Sequence, residues 1–465
     1  MSVLSARCGA VRNAQCSAAQ RPSVGQPDRS RRILAVAYDF LPSIEIGAHA
    51  CAQTLGYVSQ HGWQPVVLTA HERYIERRGV FDTARFPGPI VRTLVFPHPL
   101  DVYRMIGSRV RRRSDGPGSP NVDTSSRPSR REAFLSLLVL PDSAMGWIGP
   151  AVFTGLATIK RQGVTRIFSS GPAWTNHIVA LVLAKCTGLP WIAQFRDPWV
   201  TGQPWPSPGR TAQRIHKTLE ASVIKGASRV LCVTEPHSTL LKQTYVTVSP
   251  AKFVTIPNGF DEVEWASLDQ CAADKREFTI LYAGTLYGSR NPQPVLRALG
   301  ELVNARSVDV RDVKIKFVGW DTTVGGRSIT DLPGCSALNA RIEMTGPVDR
   351  SVALEHMRRA SVLLLLAEDL TLQIPGKTYE YLRAGRPILA VTPRAGAVAQ
   401  LLRSTGGAWI VEPGDEQGTA AALRDAYSTW QRGERGPTAD QTVVAKFDRR
   451  VLARQFADVF ERSGD

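Results

Sequence analysis

Two short stretches of this chain set cations beside the starts of helices. In Gly284-Thr285-Leu286-Tyr287-Gly288-Ser289-Arg290-Asn291-Pro292 a strand-like run gives way to glycine and then to Arg290, with Pro292 placed as a first-turn proline. In Ile374-Pro375-Gly376-Lys377-Thr378-Tyr379-Glu380, Lys377 opens a helix and Glu380 follows three residues later on the same face. A guanidinium ahead of one helix and an ammonium at the start of another suit a diphosphate, and a carboxylate one turn on suits a ribose diol. Taken alone, Lys377 and Glu380 read as a surface salt bridge; taken with the fold, they read as a nucleotide contact.

The first half of the chain offers a different set. Gly47 enters a helix after an apolar strand, where a glycine allows backbone N–H groups to approach an anion, or simply makes a tight turn. His177 falls in the first turn of a helix that begins at a strand's carboxyl end. There the helix dipole disfavours imidazolium and leaves a neutral ring that can hydrogen-bond a substrate hydroxyl. Arg196-Asp197-Pro198-Trp199 follows the next strand. That charged pair either binds acceptor hydroxyls or shapes its own loop, with Trp199 packed beneath.

These residues need elements to hold them, and the apolar pattern supplies two series. Strands are expected at Ile33–Tyr38, Pro65–Thr69, Ile90–Phe96, Arg166–Ser170, Trp191–Phe195 and Arg229–Thr234, with helices at Cys51–Gln60, Trp147–Ile159, Asn176–Thr187 and Arg210–Lys225 between them. A second series begins at Phe278–Ala283 and continues through Val313–Gly319, Ile342–Thr345, Val362–Ala367, Pro387–Val391 and Ala408–Val411. Repeated β-α units argue for parallel sheets with helices on both faces, and two in tandem make a bilobed α/β protein. In such sheets ligands bind outside the carboxyl ends of the strands, where the residues singled out above fall. The boundaries read as an N-terminal extension at 1–31, a first Rossmann-like domain at 32–265, a linker at 266–276, and a second domain at 277–444. The amphipathic stretch 445–465 is expected to return to the first domain.

Composition narrows the function. The 465 residues carry a net charge of +16, but residues 1–32 and 104–132 each contribute +5, in segments rich in Arg, Ser, Gly and Pro. No recognisable DNA- or RNA-binding signature sits beside them, so nucleic acid is disfavoured. A basic loop at an anionic membrane surface, through residues 104–140, fits better. Seven scattered cysteines without a C-x-x-C pair read as reduced thiols, and no run approaches the ~20 apolar residues that span a bilayer. The expected setting is cytoplasmic, or peripheral at the inner face of the plasma membrane.

Four stretches, SSGPAWTNHIVALVLAKCTGLPWIAQFRDPW, VTIPNGFDE, YAGTLYGSRNP and IPGKTYEYLRAGRPILAV, together resemble the retaining GT-B glycosyltransferases of the group 1 or family 4 type. The FRDPW stretch is similar to enzymes that build bacterial cell-surface polysaccharides. The resemblance covers most of residues 33–462 and implies a nucleotide-diphosphate sugar donor, a glycan or lipid-linked acceptor, and no cofactor or catalytic metal. No D-x-D occurs in the chain. It implies further that Gly47 lies near the donor phosphate and acceptor, that His177 contacts the transferred sugar, that Arg290 grips the diphosphate, and that Glu380 holds the ribose. Gly284, Thr285, Gly376 and Thr378 line the same nucleotide site, and Arg196 and Asp197 face the acceptor. Two positions depart from the pattern: Leu372 stands where the family has its first motif glutamate, and Thr285 where it has an arginine. Lys377 is expected to replace that arginine. Two other readings are a nucleotide-sugar epimerase of similar fold and a catalytically inactive binding subunit.

Overall fold

A computed structural model of the protein describes residues 31–79, 86–98, 135, 137–202, 209–268, 276–286, 290–320, 323–324, 326–332 and 335–464. The expectations placed on residues 1–30, on the basic insertion 104–132 and on most of the linker fall outside these residues.

Seven parallel strands form the first sheet: β1 (Arg32–Val36), β2 (Gln64–Ala70), β3 (Ile90–Thr93), β4 (Arg166–Gly171), β5 (Trp191–Phe195), β6 (Arg229–Cys232) and β7 (Phe253–Thr255), in the order β3-β2-β1-β4-β5-β6-β7. Its helices are α1 (Ile46–Val58), α2 (Ile148–Gln162), α3 (Thr175–Thr187), α4 (Arg210–Gly226) and α5 (Glu235–Thr244), followed by the short α6 (Glu262–Ala266). The second sheet comprises β8 (Phe278–Ala283), β9 (Val313–Val318), β12 (Ile342–Met344), β13 (Val362–Leu366), β14 (Ile388–Val391) and β15 (Ala408–Val411), ordered β12-β9-β8-β13-β14-β15 and again parallel. A hairpin of β10 (Thr323–Val324) and β11 (Arg327–Ser328) intervenes. Helices α7 (Gln293–Asn304), α8 (Arg350–Arg359), α9 (Lys377–Ala384), α10 (Ala397–Thr405) and α11 (Glu416–Gln431) cover it, and α12 (Gln441–Val444) leads to α13 (Arg449–Glu461).

Both sheets bury two faces, as parallel sheets must. Along β1, Leu34 and Val36 point to the core shared with α2, α3 and α4, whereas Ile33 and Ala35 point to the core shared with α1 and α13. In β8, Phe278, Ile280 and Tyr282 face α7 and α11, and Leu281 and Ala283 face α8, α9 and α10. This period-two division explains why the strands read as nearly continuous apolar runs.

The chain crosses back at its end. Leu452, Phe456 and Phe460 of α13 fill the α1 face of the first sheet, with Phe456 and Phe460 lying 6.2 and 5.6 Å from the ring of Phe168. Asp448 caps α13 by accepting from the Arg450 amide. Arg449 donates its amide to the Phe260 carbonyl, which ties the start of the helix to the connection between the sheets.

Candidate active site

The carboxyl mouth of the second sheet gathers the expected diphosphate residues. Gly284, directly after β8, has φ +120°, a conformation that favours glycine, and its amide donates to the Val318 carbonyl at 2.7 Å. A side chain there would also crowd Lys377 Nζ, which lies 3.2 Å from the position of the missing Cβ. Lys377 starts α9; its Nζ donates to the Ala283 carbonyl at 2.9 Å and sits 3.6 Å above the centre of the Tyr282 ring. Burial, then the positive charge of Arg290, holds the Lys377 ammonium well below the usual lysine range, against a smaller opposing effect of Glu380. Arg290 thus acts on Lys377 through its charge. Thr285 turns its carbonyl to the Tyr282 hydroxyl at 3.1 Å, a Cβ at Gly376 would meet open space, and Thr378 buries a hydroxyl with no hydrogen-bond partner.

The surface salt bridge between Lys377 and Glu380, the reading set aside above, does not form. Glu380 accepts instead from Arg350 Nη2 at 2.8 Å, and Arg350 Nε donates to Glu264 at 2.7 Å. Glu264 in turn meets His49 Nε2 at 3.1 Å and Gln53 Nε2 at 3.0 Å, both on α1. Burial works against the charge of Arg350, but Glu380 and Glu264 together outweigh it and raise its pKa. The Glu380 carboxylate is therefore wired through one arginine to a helix of the other sheet. Arg350 is three residues past the Pro347 turn and carries no local motif, so only its tertiary position reveals it.

Across the cleft, Arg196 and Asp197 part company rather than pair. The Arg196 guanidinium donates to the Pro172 carbonyl and lies directly over Gly47, where any Cβ would collide with it. Gly47 sits in the first turn of α1, and the Arg196 guanidinium occupies the space above it. Arg196 Nε is buried without a partner. Asp197 accepts from Gln373 Nε2 at 2.6 Å, a bond between the two sheets' loops. Trp199 is sealed beneath, stacked on Trp174 at 4.9 Å and donating to His216 at 3.1 Å.

His177 is also recessed. Its ring has no exposed surface, Nδ1 lies 2.8 Å from Ser169 Oγ, and Phe195 and Trp174 flank it. Nε2 has no partner and lies 2.6 Å from where a Cβ on Gly171 would stand, so Gly171 and its loop separate the ring from the cleft. The ring is neutral, as expected, but the reason differs: burial is the main cause and Arg196 the second, together pushing the pKa down to about 3. The imidazole therefore presents no exposed surface to the cleft.

The sequence reading passed over Asp39. It follows β1 at the mouth of the first sheet, and burial, then Glu45, pushes its carboxyl up to about 6 against the pull of Arg196. A lone acid in Tyr38-Asp39-Phe40 gives no spacing signal. Leu372, at the departing motif position, accepts from Thr234 Oγ1 at 2.5 Å through its carbonyl, and its side chain packs over Gly202. It closes the two halves together with apolar surface.

Two parallel sheets with helices on both faces, facing each other across a cleft, define the GT-B class of fold. Residues 277–429 match the family described as glycosyl transferases group 1. The N-terminal domain of Candida albicans trehalose-6-phosphate phosphatase superposes with a TM-score of 0.64 at 12% identity, covering 94% of this chain and 97% of that one. HepE of Anabaena, solved with UDP and glucose, gives 0.60 at 14% identity, covering 93% and 100%. Sucrose-phosphate synthase of Thermosynechococcus elongatus gives 0.58 at 15%, covering 93% and 98%. At these identities the likeness concerns the fold. A search of curated protein sequences found no match.

Proposed function

We propose that the protein is a glycosyltransferase that moves a sugar from a nucleotide-diphosphate sugar to a hydroxyl of a glycan or lipid-linked acceptor. One observation carries the reading. Lys377, at the start of α9, sets its ammonium beside Gly284 and on the Ala283 carbonyl, and the positive charge of Arg290 opposes it. An arriving diphosphate relieves that repulsion and accepts from both cations, and charge developing on the leaving group is stabilised in the same way. Glu380, with one carboxylate oxygen on Arg350, keeps the other for the ribose. The acceptor enters from the first sheet, past Asp197 and Asp39. Retention follows if the acceptor attacks on the face the phosphate leaves, with that phosphate taking the hydroxyl proton. Cationic side chains and a helix terminus take the place of a metal. The FRDPW resemblance directs the reading to surface polysaccharide synthesis, with a lipid-borne acceptor met at the membrane through the basic segment 104–140.

The test is acceptor-dependent release of nucleoside diphosphate, beginning with UDP-sugars because HepE was solved with UDP, and run with and without EDTA. Transfer persists in EDTA, and Lys377→Ala or Arg290→Ala lowers kcat/KM by about 100-fold or more, on the order of 3 kcal/mol. Wild-type turnover in Lys377→Ala, or loss in EDTA restored by Mn²⁺, contradicts the mechanism. The seating of Leu372 against Gly202 favours one alternative, a binding subunit without turnover. Nucleotide binding with no release from any donor supports that alternative.

A further inference from the structure

Where α13 returns to the first sheet, it closes a small cavity of about 20 Å³, room for one water-sized body. Thr54 of α1, Gln194 of β5, Arg196 just after β5, Asn258 after β7 and Arg449 at the start of α13 supply its polar lining. Apolar side chains of β4 and α13 close much of the rest, and among the described residues no carboxylate lines it. The polar groups left to this space are donors. Gln194 accepts from Ser170 Oγ at 2.8 Å through its carbonyl oxygen, which leaves its NH2. The Arg196 guanidinium donates through Nη2 to the Pro172 carbonyl, and its Nε is buried without a partner. Its charge reaches the cavity wall at Cys51, whose thiol burial pushes up to about 11 against the opposing pull of Arg196. Arg449 is desolvated as well, and the carboxylates that act on it are bonded elsewhere. Glu380 and Glu264 hold Arg350, and Asp261 accepts from Gln53 and Tyr57.

Two cations and three neutral donors thus face one small space with no acid among them. Buried charge is costly unless it is paired, and the pairing must come from the space itself. A water would accept from the donors but leave the charge unmet; an anion answers both. The volume suits a single atom and is too small for a phosphate or carboxylate group. We propose that Arg196 and Arg449 bind one monatomic anion, chloride, with Thr54, Gln194 and Asn258 as its neutral donors. The ion ties the first turn of α13 to the end of β5 and so fastens the returning chain to the first sheet. The site is separate from Lys377 and Arg290 and stands independently of the nucleotide-sugar reading.

The full-length protein is melted at one ionic strength in potassium chloride, potassium phosphate or potassium gluconate, with Arg449→Gln beside wild type. Chloride well above its Kd raises the wild-type Tm over gluconate by about 3 °C, and the gain saturates. The gain disappears in Arg449→Gln, which removes one of the two charges but keeps a donor; general effects of the salts are common to both proteins and cancel. Crystals of wild type grown in bromide show an anomalous peak within hydrogen-bond distance of both guanidinium groups, a readout that does not depend on how the variant folds. Equal wild-type melting in chloride and gluconate, the same chloride gain in Arg449→Gln, or a water in place of bromide overturns the site. A gain from phosphate with none from chloride overturns the monatomic ion.

Discussion

The proposed mechanism turns on Lys377, whose environment gives it a measurable signature. The folded protein holds its pKa below the ordinary lysine value, first by burial and then by Arg290. Between the lowered folded pKa and about 10.4, where an unfolded lysine titrates, the unfolded chain binds a proton that the folded chain does not. Stability contributed by this group therefore rises with pH across that window, and the penalty is full below the folded pKa. Urea midpoints measured from pH 7 to 10 are expected to climb less steeply in Lys377→Met than in wild type, with the variant more stable at the lower end. Parallel curves would remove the buried, repelled lysine from the account. At the same scale, His177 has no exposed surface and lies behind Gly171, and the Arg196 guanidinium fills the space above Gly47.

Among the elements, α13 shows how the last residues of the chain bind its first half. Its apolar face was visible as spacing at Val451, Leu452, Phe456, Val459 and Phe460, but spacing does not name the surface it meets. In the structure Phe460 is fully buried and touches Trp63 and Phe168 at 5.6 Å each, and Arg31 pairs with Glu461 at 3.2 Å beside it. Truncating a buried phenylalanine to alanine removes its transfer energy and leaves a cavity. Phe460→Ala is expected to destabilise the first half by about 3 kcal/mol or more, read as a lower urea midpoint for tryptophan fluorescence. A change under about 1 kcal/mol would mean that α13 is only loosely docked.

For the whole molecule, the two halves are connected by several polar contacts. One is the bond from Gln373 to Asp197, a second runs from Thr234 to the Leu372 carbonyl, and a third runs from Glu380 through Arg350 and Glu264 to His49 and Gln53. Removing Arg350 leaves two half-buried carboxylates without their shared cation, so Glu380 loses its fixed orientation. Arg350→Ala is expected to weaken nucleoside diphosphate binding on the order of tenfold, with partial recovery in Arg350→Lys, because an ammonium restores charge but not the two-pronged geometry. Titration calorimetry measures it; full affinity in the alanine variant would show that Glu380 orients itself.

The strand runs, the tandem β-α series and the start of α9 at Lys377 were legible in the linear order, because burial period and helix starts are local properties. Every strand expected from the apolar pattern is present, with ends shifted by up to a few residues where backbone hydrogen bonding, not hydropathy, decides the last pair. Which charges meet was not legible. Glu380 pairs with a residue 30 positions away and Asp197 with one 176 away, whereas the nearby partners suggested by spacing stay apart. Exposure was equally hidden: the sequence shows His177 as a single polar residue after a strand, and only the packing around it buries the ring. Local chemistry determined the elements and the residues available at their ends; the docking of two sheets determined which of those residues face a ligand.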